Sequence, residues 1–322
     1  MAEVQESSAV SRPGIAVPVP ASHKRPHVRP FVVTPRRVGL RYLVAEFWQY
    51  RMLLWYFGTR YVQKKSARTW LGIIWLPLKP GVNLLLRIIV FGGLVGISTG
   101  SVPYSIFFIV TSSVWTLFYE TAYWSIRSIE VNRRLLGRVY VPRLIVMSSS
   151  LIPAAVDFGI NISFGLFALL YYVLRAHVFY LQFGIHTLLV PVGLFLMLLL
   201  GLGIGLLMSG IGARARDIRF GVHYFFQFLY YLTPVIYPLS AIPNGARPFA
   251  ELNPMTGTIE MVKDGLFNGH ELSVDAVYVT VFWILLIWVP GLWLYDRSQV
   301  AILEGRTVRP WGRARRVVQP ID

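Results

Sequence analysis

The chain has 322 residues and a formal net charge of +16; 55% of its residues are hydrophobic, 15% aromatic and only 14% charged, and none is cysteine. Whole-chain disorder is excluded by the apolar content, and disulfide or thiolate-metal scaffolds by the lack of cysteine. A pI near 10.3 alone would suit a nucleic-acid binder, but a mean hydropathy of +0.55 points instead to an integral membrane protein with its charges in loops and no nucleic-acid partner.

Residues 1–39 are rich in Pro, Ser and Val, with Lys24, Arg25, Arg29, Arg36 and Arg37 scattered among them. No continuous apolar stretch or small-residue cleavage site marks a signal peptide, and Pro13, Pro18, Pro20, Pro26, Pro30 and Pro35 prevent a helix. A disordered basic cytosolic arm is expected. Residues 40–61 then return Leu40, Leu43, Val44, Phe47, Leu54, Phe57 and Tyr61 mostly at helical spacing, interrupted by Arg41, Gln49, Arg51 and Arg60. This predicts an amphipathic helix lying in the headgroup plane, the rival reading being a seventh span.

Six segments have about the 20 mostly apolar residues that a bilayer crossing needs: 71–97, 104–126, 144–174, 186–210, 220–239 and 276–295. In the over-long third, Pro153 is expected to separate an interfacial lead-in from the span proper. With these spans, 26 of the 31 Lys and Arg residues fall on one side of the membrane, which places both termini in the cytosol. The fold class predicted is thus all-α integral membrane, with six transmembrane helices and an N-terminal interface helix.

The cytosolic loop after the second span runs from Ser128 to Arg143. Asn132 is placed to cap a short helix carrying Arg133, Arg134, Leu135 and Leu136, and Pro142 with Arg143 opens the next span. Such a helix can dock in a partner's groove, or the arginines can serve topology alone. Residues 244–275 form a long external loop in which Phe249, Leu252, Met255, Ile259, Met261, Val262, Leu266 and Phe267 recur. One or two short helices dipping into the outer interface are expected, the second started by the Leu252-Asn253-Pro254 turn.

Taken in order, several landmarks resemble the permease subunits of type-2 ABC exporters for bacterial polysaccharides, the O-antigen, capsule, teichoic-acid and galactan exporters. They are the basic stretch from Arg60 to Ser66, Leu71-Gly72-Ile73-Ile74-Trp75 opening the first span, Asn132 with Pro142-Arg143, and Arg216-Asp217-Ile218. Thr233-Pro234-Val235-Ile236-Tyr237, with Thr where Ser is usual, and Leu252-Asn253-Pro254-Met255 complete the set. The resemblance covers about 40–297, which reads as the transmembrane domain, leaving 298–322 as a basic cytosolic tail.

The resemblance implies a homodimer in the bacterial plasma (inner) membrane, joined to two cytosolic ABC ATPase subunits that bind ATP and Mg. It also implies outward movement of a lipid-linked polysaccharide such as O-antigen or galactan, the alternative cargo being a drug or small lipid. Independently, the chain has no G-x-x-x-x-G-K-[ST] phosphate loop. No metal, nucleophile or acid–base spacing is seen, so no catalytic residue is expected and no cofactor in this chain. Gly201 and Gly205 form a small-xxx-small pair suited to helix packing.

Two resources remain for a transport path. Arg87 is an intramembrane charge with no acid in its own span; it either pairs with Glu120 or Asp157 or lines the path for an anionic cargo. Lys79 lies near the cytosolic end of the same span, where it can snorkel. Trp115, Tyr119 and Tyr123 make one aromatic stripe, and Tyr224, Phe228 and Tyr231 another. Such stripes suit sugar faces, or else ordinary core and belt packing.

Overall fold

The computed structural model describes residues 47–66, 72–136, 141–211, 216–267 and 272–303, all within the unit Pro35–Asp322. The expected arm 1–39, residues 40–46 and residues 304–322 lie outside the described residues. Among the described residues every regular element is helical.

The organising element is a 28-residue helix, Tyr104–Val131, here α3. It is preceded by α1 (Arg51–Ser66) and by α2 (Trp75–Arg87), which continues as a π-helical stretch, Ile88–Leu94. It is followed by α4 (Arg133–Leu136), α5 (Arg143–Ser148), α6 (Leu151–Ala176), α7 (Leu189–Ile211) and α8 (Arg216–Leu232). Two short helices, α9 (Arg247–Glu251) and α10 (Thr256–Phe267), lead to α11 (Val274–Leu303).

Helix α3 is buried along most of its length, between α6 and α7. Several of its hydroxyl residues bond within their own helix: Thr111, Ser113 and Thr116 donate to carbonyls three or four residues earlier. The glycines of α7 set the spacing. A Cβ on Gly201 would stand 2.9 Å from Thr121 Cβ, and one on Gly205 would stand 1.9 Å from Ser125 Oγ. Gly203, turned the other way, would meet Trp288 Nε1 of α11 at 2.7 Å, and that same Nε1 donates to Leu199 O at 2.9 Å. Three glycines at alternate positions therefore let α7 lie against two helices at once, which extends the expected packing role of Gly201 and Gly205.

Four helical segments are long and apolar enough to cross a membrane: Gly72–Leu94, Arg143–Ala176, Ile185–Met208 and Val274–Leu294. Helices α3 and α8, which occupy the expected second and fifth spans, are not among them. Helix α3 carries Ser, Thr, Tyr and Glu120 in place of aliphatics, and α8 has 17 residues opening on Arg216-Asp217-Ile218-Arg219. The third segment breaks at Ser149 and Ser150, between α5 and α6, with Pro153 in the first turn of α6 where it costs no helical hydrogen bond.

The external loop forms the expected short helices, and the second of them is packed into the protein. Helix α10 is buried nearly throughout, against α7, α11 and α3. Glu260 and Lys263 form an ion pair with side chains only 3% and 1% exposed, and Lys263 lies 5.3 Å from the Phe107 ring centroid. Asp264 accepts from His186 at 2.8 Å. Charges in an external loop read as solvated; paired, they go inside.

Candidate translocation and coupling site

Helix α1 presents Phe57 and Tyr61, one turn apart and both 0% exposed, to the rest of the protein. Phe57 packs with Val141 and Val146, and Leu53, Leu135 and Leu136 close around them. Gly58 allows the approach: a Cβ there would overlap Ile152 at 2.4 Å. The outer side of α1 carries Met52, Trp55 and Tyr56, all exposed.

Asn132 is the pivot of the loop, in a way the sequence reading did not anticipate. Its Nδ2 donates to Tyr61 Oη at 2.7 Å and to Ser128 O at 2.9 Å, so the side chain reaches back to α1 and α3. Its Oδ1 has no hydrogen-bond partner, and α4 begins on backbone bonds to Asn132 O from Leu135 and Leu136 at 2.9 and 3.0 Å. The expected side-chain cap is therefore replaced by a tie between helices. Tyr61 Oη in turn donates to Val146 O at 3.3 Å. Burial pushes the Tyr61 phenol well above its usual range, with the Asn132 bond pulling the other way, so it stays a neutral donor. Arg133 and Arg134 lie in α4, but their side chains are outside the described residues. Pro142 precedes α5, and Arg143, its first residue, is half-buried.

From Tyr61 the contacts continue inward. Its ring stacks on Trp124 of α3, centroids 5.0 Å apart and planes 17° apart. Trp124 Nε1 donates to Glu120 Oε2 at 2.9 Å. Lys65, at the end of α1, bonds Glu120 Oε2 at 2.6 Å and also bonds Asp157 Oδ2 on α6. This corrects the expected pairing: Glu120 and Asp157, the two acids considered for Arg87, are both held by Lys65. Arg87 lies instead over the ring of Tyr230, with Cζ 4.5 Å from the centroid. Among the described residues no carboxylate pairs with it.

The two aromatic stripes are brought to neighbouring helices. Tyr119 and Tyr123 stack at 5.8 Å, and Arg127 lies over Tyr123, 5.0 Å from its centroid, while donating to its hydroxyl. Trp115, one turn earlier, is buried between Phe118 and Tyr230. On α8, Tyr224, Phe228 and Tyr231 are 67%, 65% and 55% exposed and form one outward face. The link between stripes is a residue that sequence reading passed over, His223. Its Nδ1 and Tyr119 Oη are 2.8 Å apart, and its Nε2 is 3.2 Å from Gln227 Nε2. With the Gln227 amide donating to Nε2, the ring proton sits on Nδ1 and is donated to Tyr119. The signal was present as spacing, since His223 and Gln227 are four apart beside the stripe.

Beyond α8, the Thr233–Tyr237 motif is fixed in place by α3 and by the external turn. Thr111 Oγ1 donates to Val235 O at 2.7 Å and Tyr104 Oη to Ile236 O at 3.0 Å. Asn253 Nδ2 donates to Thr233 Oγ1 at 2.7 Å, while its Oδ1 accepts from Met255 N at 3.1 Å. Two motifs of the family resemblance thus hold each other. The side chains of the Arg216-Asp217-Ile218 motif are outside the described residues.

Four helical segments able to cross a membrane, packed with a central helix rich in hydroxyl and aromatic groups, define a multi-pass membrane protein. The family model described as ABC-2 type transporter matches residues 52–267, more than half of the chain, and the chain belongs to that family. It is 25% identical over 251 residues to the O-antigen export system permease protein RfbA of Myxococcus xanthus, covering 75% of this chain and 92% of that protein. It is 21% identical over 246 residues to the polysialic acid transport protein KpsM of Escherichia coli, covering 76% and 92%. A permease named RfbA from Klebsiella pneumoniae is 21% identical over 243 residues, covering 76% and 90%. The chain is accordingly a multi-pass inner-membrane transport protein.

Proposed function

We propose that this chain is the transmembrane subunit of an ATP-driven exporter that moves a lipid-linked polysaccharide outward across the bacterial inner membrane. The observation that carries this is the similarity, along nine-tenths of their own length, to permeases named for O-antigen export and polysialic acid transport. The geometry agrees: aromatic side chains on α3 and α8 offer sugars stacking faces and hydroxyl tips without fixed charge. In this reading α3 and α8 complete six spans, both termini are cytosolic, and α1 lies at the cytosolic interface. Residues 1–39 and 298–322 are basic cytosolic extensions of the 40–297 transmembrane domain.

The working unit is a homodimer with two cytosolic ATPase subunits, on which ATP and Mg reside. The path is walled by Tyr119, Tyr123, Tyr224, Phe228 and Tyr231, with Trp115 packed behind them and Arg87 beside Tyr230. The ATPase presses on the loop of Asn132, Arg133, Arg134, Leu135, Leu136, Pro142 and Arg143. Displacement passes through Phe57 and Tyr61 into α1, and through Lys65 to α3 and α6.

The experiment is depletion of the chain in its own host, with pulse-labelling of the lipid-linked glycan. Export predicts that label accumulates in a form protected from a glycosidase added outside spheroplasts, and that the native chain restores accessibility. Label that stays equally accessible after depletion overturns the reading; altered drug efflux with normal glycan export would favour the drug or small-lipid cargo.

A further inference from the structure

A tyrosine hydroxyl both accepts and donates, and a partner that fills one role fixes the other. Tyr119 and Tyr123, one turn apart on α3, are both fixed in this way. Tyr119 Oη accepts from His223 Nδ1 at 2.8 Å, and Tyr123 Oη accepts from Arg127. Each keeps its own hydroxyl hydrogen to donate, and among the described residues no group receives it. Gln227, exposed on α8, donates one amide hydrogen to His223 Nε2 at 3.2 Å, which leaves its other hydrogen and its carbonyl open.

Elsewhere the seam between α3 and α8 is built of rings, Trp115 against Tyr230 at 5.4 Å and Phe118 against Phe226 at 5.2 Å. Packing alone gives no reason for an imidazole at this seam. His223 also meets the ring of Tyr224 edge-on, centroids 5.5 Å apart and planes at 69°. Tyr123 has Tyr119 stacked on it from one turn before and Arg127 over it from one turn after, so the exposed Tyr224 is the open stacking face of the group.

The group therefore offers two hydroxyl donors, an amide with one donor and one acceptor, and an open ring. A sugar hydroxyl takes and gives hydrogen, and a sugar's C–H face stacks on a ring, so a neutral sugar answers every member. A carboxylate or phosphate only accepts. It would suit the tyrosines but set lone pairs against the Gln227 carbonyl.

We infer that Tyr119, Tyr123, Tyr224 and Gln227 form a subsite for one neutral sugar residue of the cargo. His223 is its positioning residue, because it holds the Tyr119 hydroxyl with the hydrogen turned away from the imidazole, free for the sugar. The inference rests on the export reading, in which the subsite lies in the cytosolic half of the path: His223 is seven residues, about 10 Å, from the start of α8. It names what this stretch of the wall reads, hydroxyl groups and not charge.

The test uses the chain with its ATPase partner in proteoliposomes, with ATP hydrolysis measured against rising amounts of lipid-linked glycan extracted from the host. His223→Leu is expected to raise the half-saturating glycan concentration about fivefold, the loss of one directed hydrogen bond, with maximal rate and thermal midpoint near native. His223→Asn, whose amide donates from the position of Nδ1, recovers most of this; His223→Gln, whose amide sits at the position of Nε2, does not. Tyr119→Phe matches His223→Leu, and combining the two adds nothing, because His223 acts through that hydroxyl. Galactotetraose at millimolar concentration competes in the native complex and less in Tyr119→Phe, whereas tetragalacturonate competes weakly in both.

Native half-saturation in His223→Leu and Tyr119→Phe overturns the inference. So does competition by tetragalacturonate equal to that of galactotetraose, which would mark an anion site, or recovery in His223→Gln as full as in His223→Asn, which would make the imidazole a spacer. Should His223→Leu not fold, the contrast between His223→Asn and His223→Gln decides. If the subsite fails while depletion of the chain still blocks glycan export, only this inference falls; export that survives depletion removes the functional reading instead.

Discussion

Lys65 closes a contact between three helices that are far apart in sequence, and its position explains why two acids tolerate burial beside each other. With its ammonium removed, Glu120 and Asp157 face one another across α3 and α6. The cost of Lys65→Met is on the order of 2 kcal/mol, between the values for surface and fully buried pairs, because both acid side chains are 16% exposed. It is read as a lowered thermal midpoint in detergent, with partial recovery when Asp157→Asn is added; native-like melting of Lys65→Met would refute the structural role. Similarly, Tyr61→Phe leaves the Asn132 amide one acceptor short, a loss of about 1 kcal/mol in the same assay. Sequence reading grouped Lys65 with a basic stretch and offered its acids as candidate partners of Arg87, the alternative being that Arg87 lines the path. The error is physical: periodicity orders residues along one helix, whereas which charge reaches which acid depends on how helices 55 and 92 residues apart in chain cross.

At the scale of the element, the stripes on α3 and α8 were legible because a spacing of four keeps side chains on one face. Which face is turned inward was not, since Trp115 is buried where Tyr224, on an equivalent stripe, is exposed. Tyr119→Ala combined with Tyr123→Ala is expected to slow glycan export severalfold while leaving ATPase assembly intact, read by pulse-chase of the labelled glycan and co-purification. Export at the native rate would remove these residues from the path. The glycines of α7 allow a sharper expectation. Gly205→Ala places a methyl where Ser125 already stands and costs about 1–3 kcal/mol by overpacking, measurable as a fall in thermal midpoint. Gly184, with open space around it, tolerates the same change. The Gly201–Gly205 motif announced close packing; that Gly203 serves a second neighbour required knowing that Trp288 lies opposite.

For the molecule as a whole, helical class and the apolar spans follow directly from hydropathy, whereas α3 defeats a purely apolar criterion because its polar side chains are buried by neighbouring helices. The burial of α10 was likewise hidden, since Glu260, Lys263 and Asp264 suit a helix at the outer interface until their partners are known. The loop beneath α1 gives a whole-molecule expectation. Replacing Leu135 and Leu136 together by Ala loosens the seat of Phe57 and is expected to uncouple ATP hydrolysis from glycan export, measured as export per ATP consumed in proteoliposomes. An unchanged ratio would separate this loop from energy transfer.

The alternate glycines of α7 have a mechanical corollary. A helix held this closely on opposite sides is hindered from rolling, so α3, α7 and α11 are expected to move as one body. Motion is left to the parts leaning on it: α1 with α2, and α8, which contacts chiefly α3. Spin labels at Arg127 and Phe195, on α3 and α7, are therefore expected to keep a constant separation through the ATP cycle, while labels at Leu86 and Phe225, on α2 and α8, change theirs. Selection on this protein would then act on two opposed demands, rigidity where glycine sits and compliance where aromatic and cationic side chains meet the cargo.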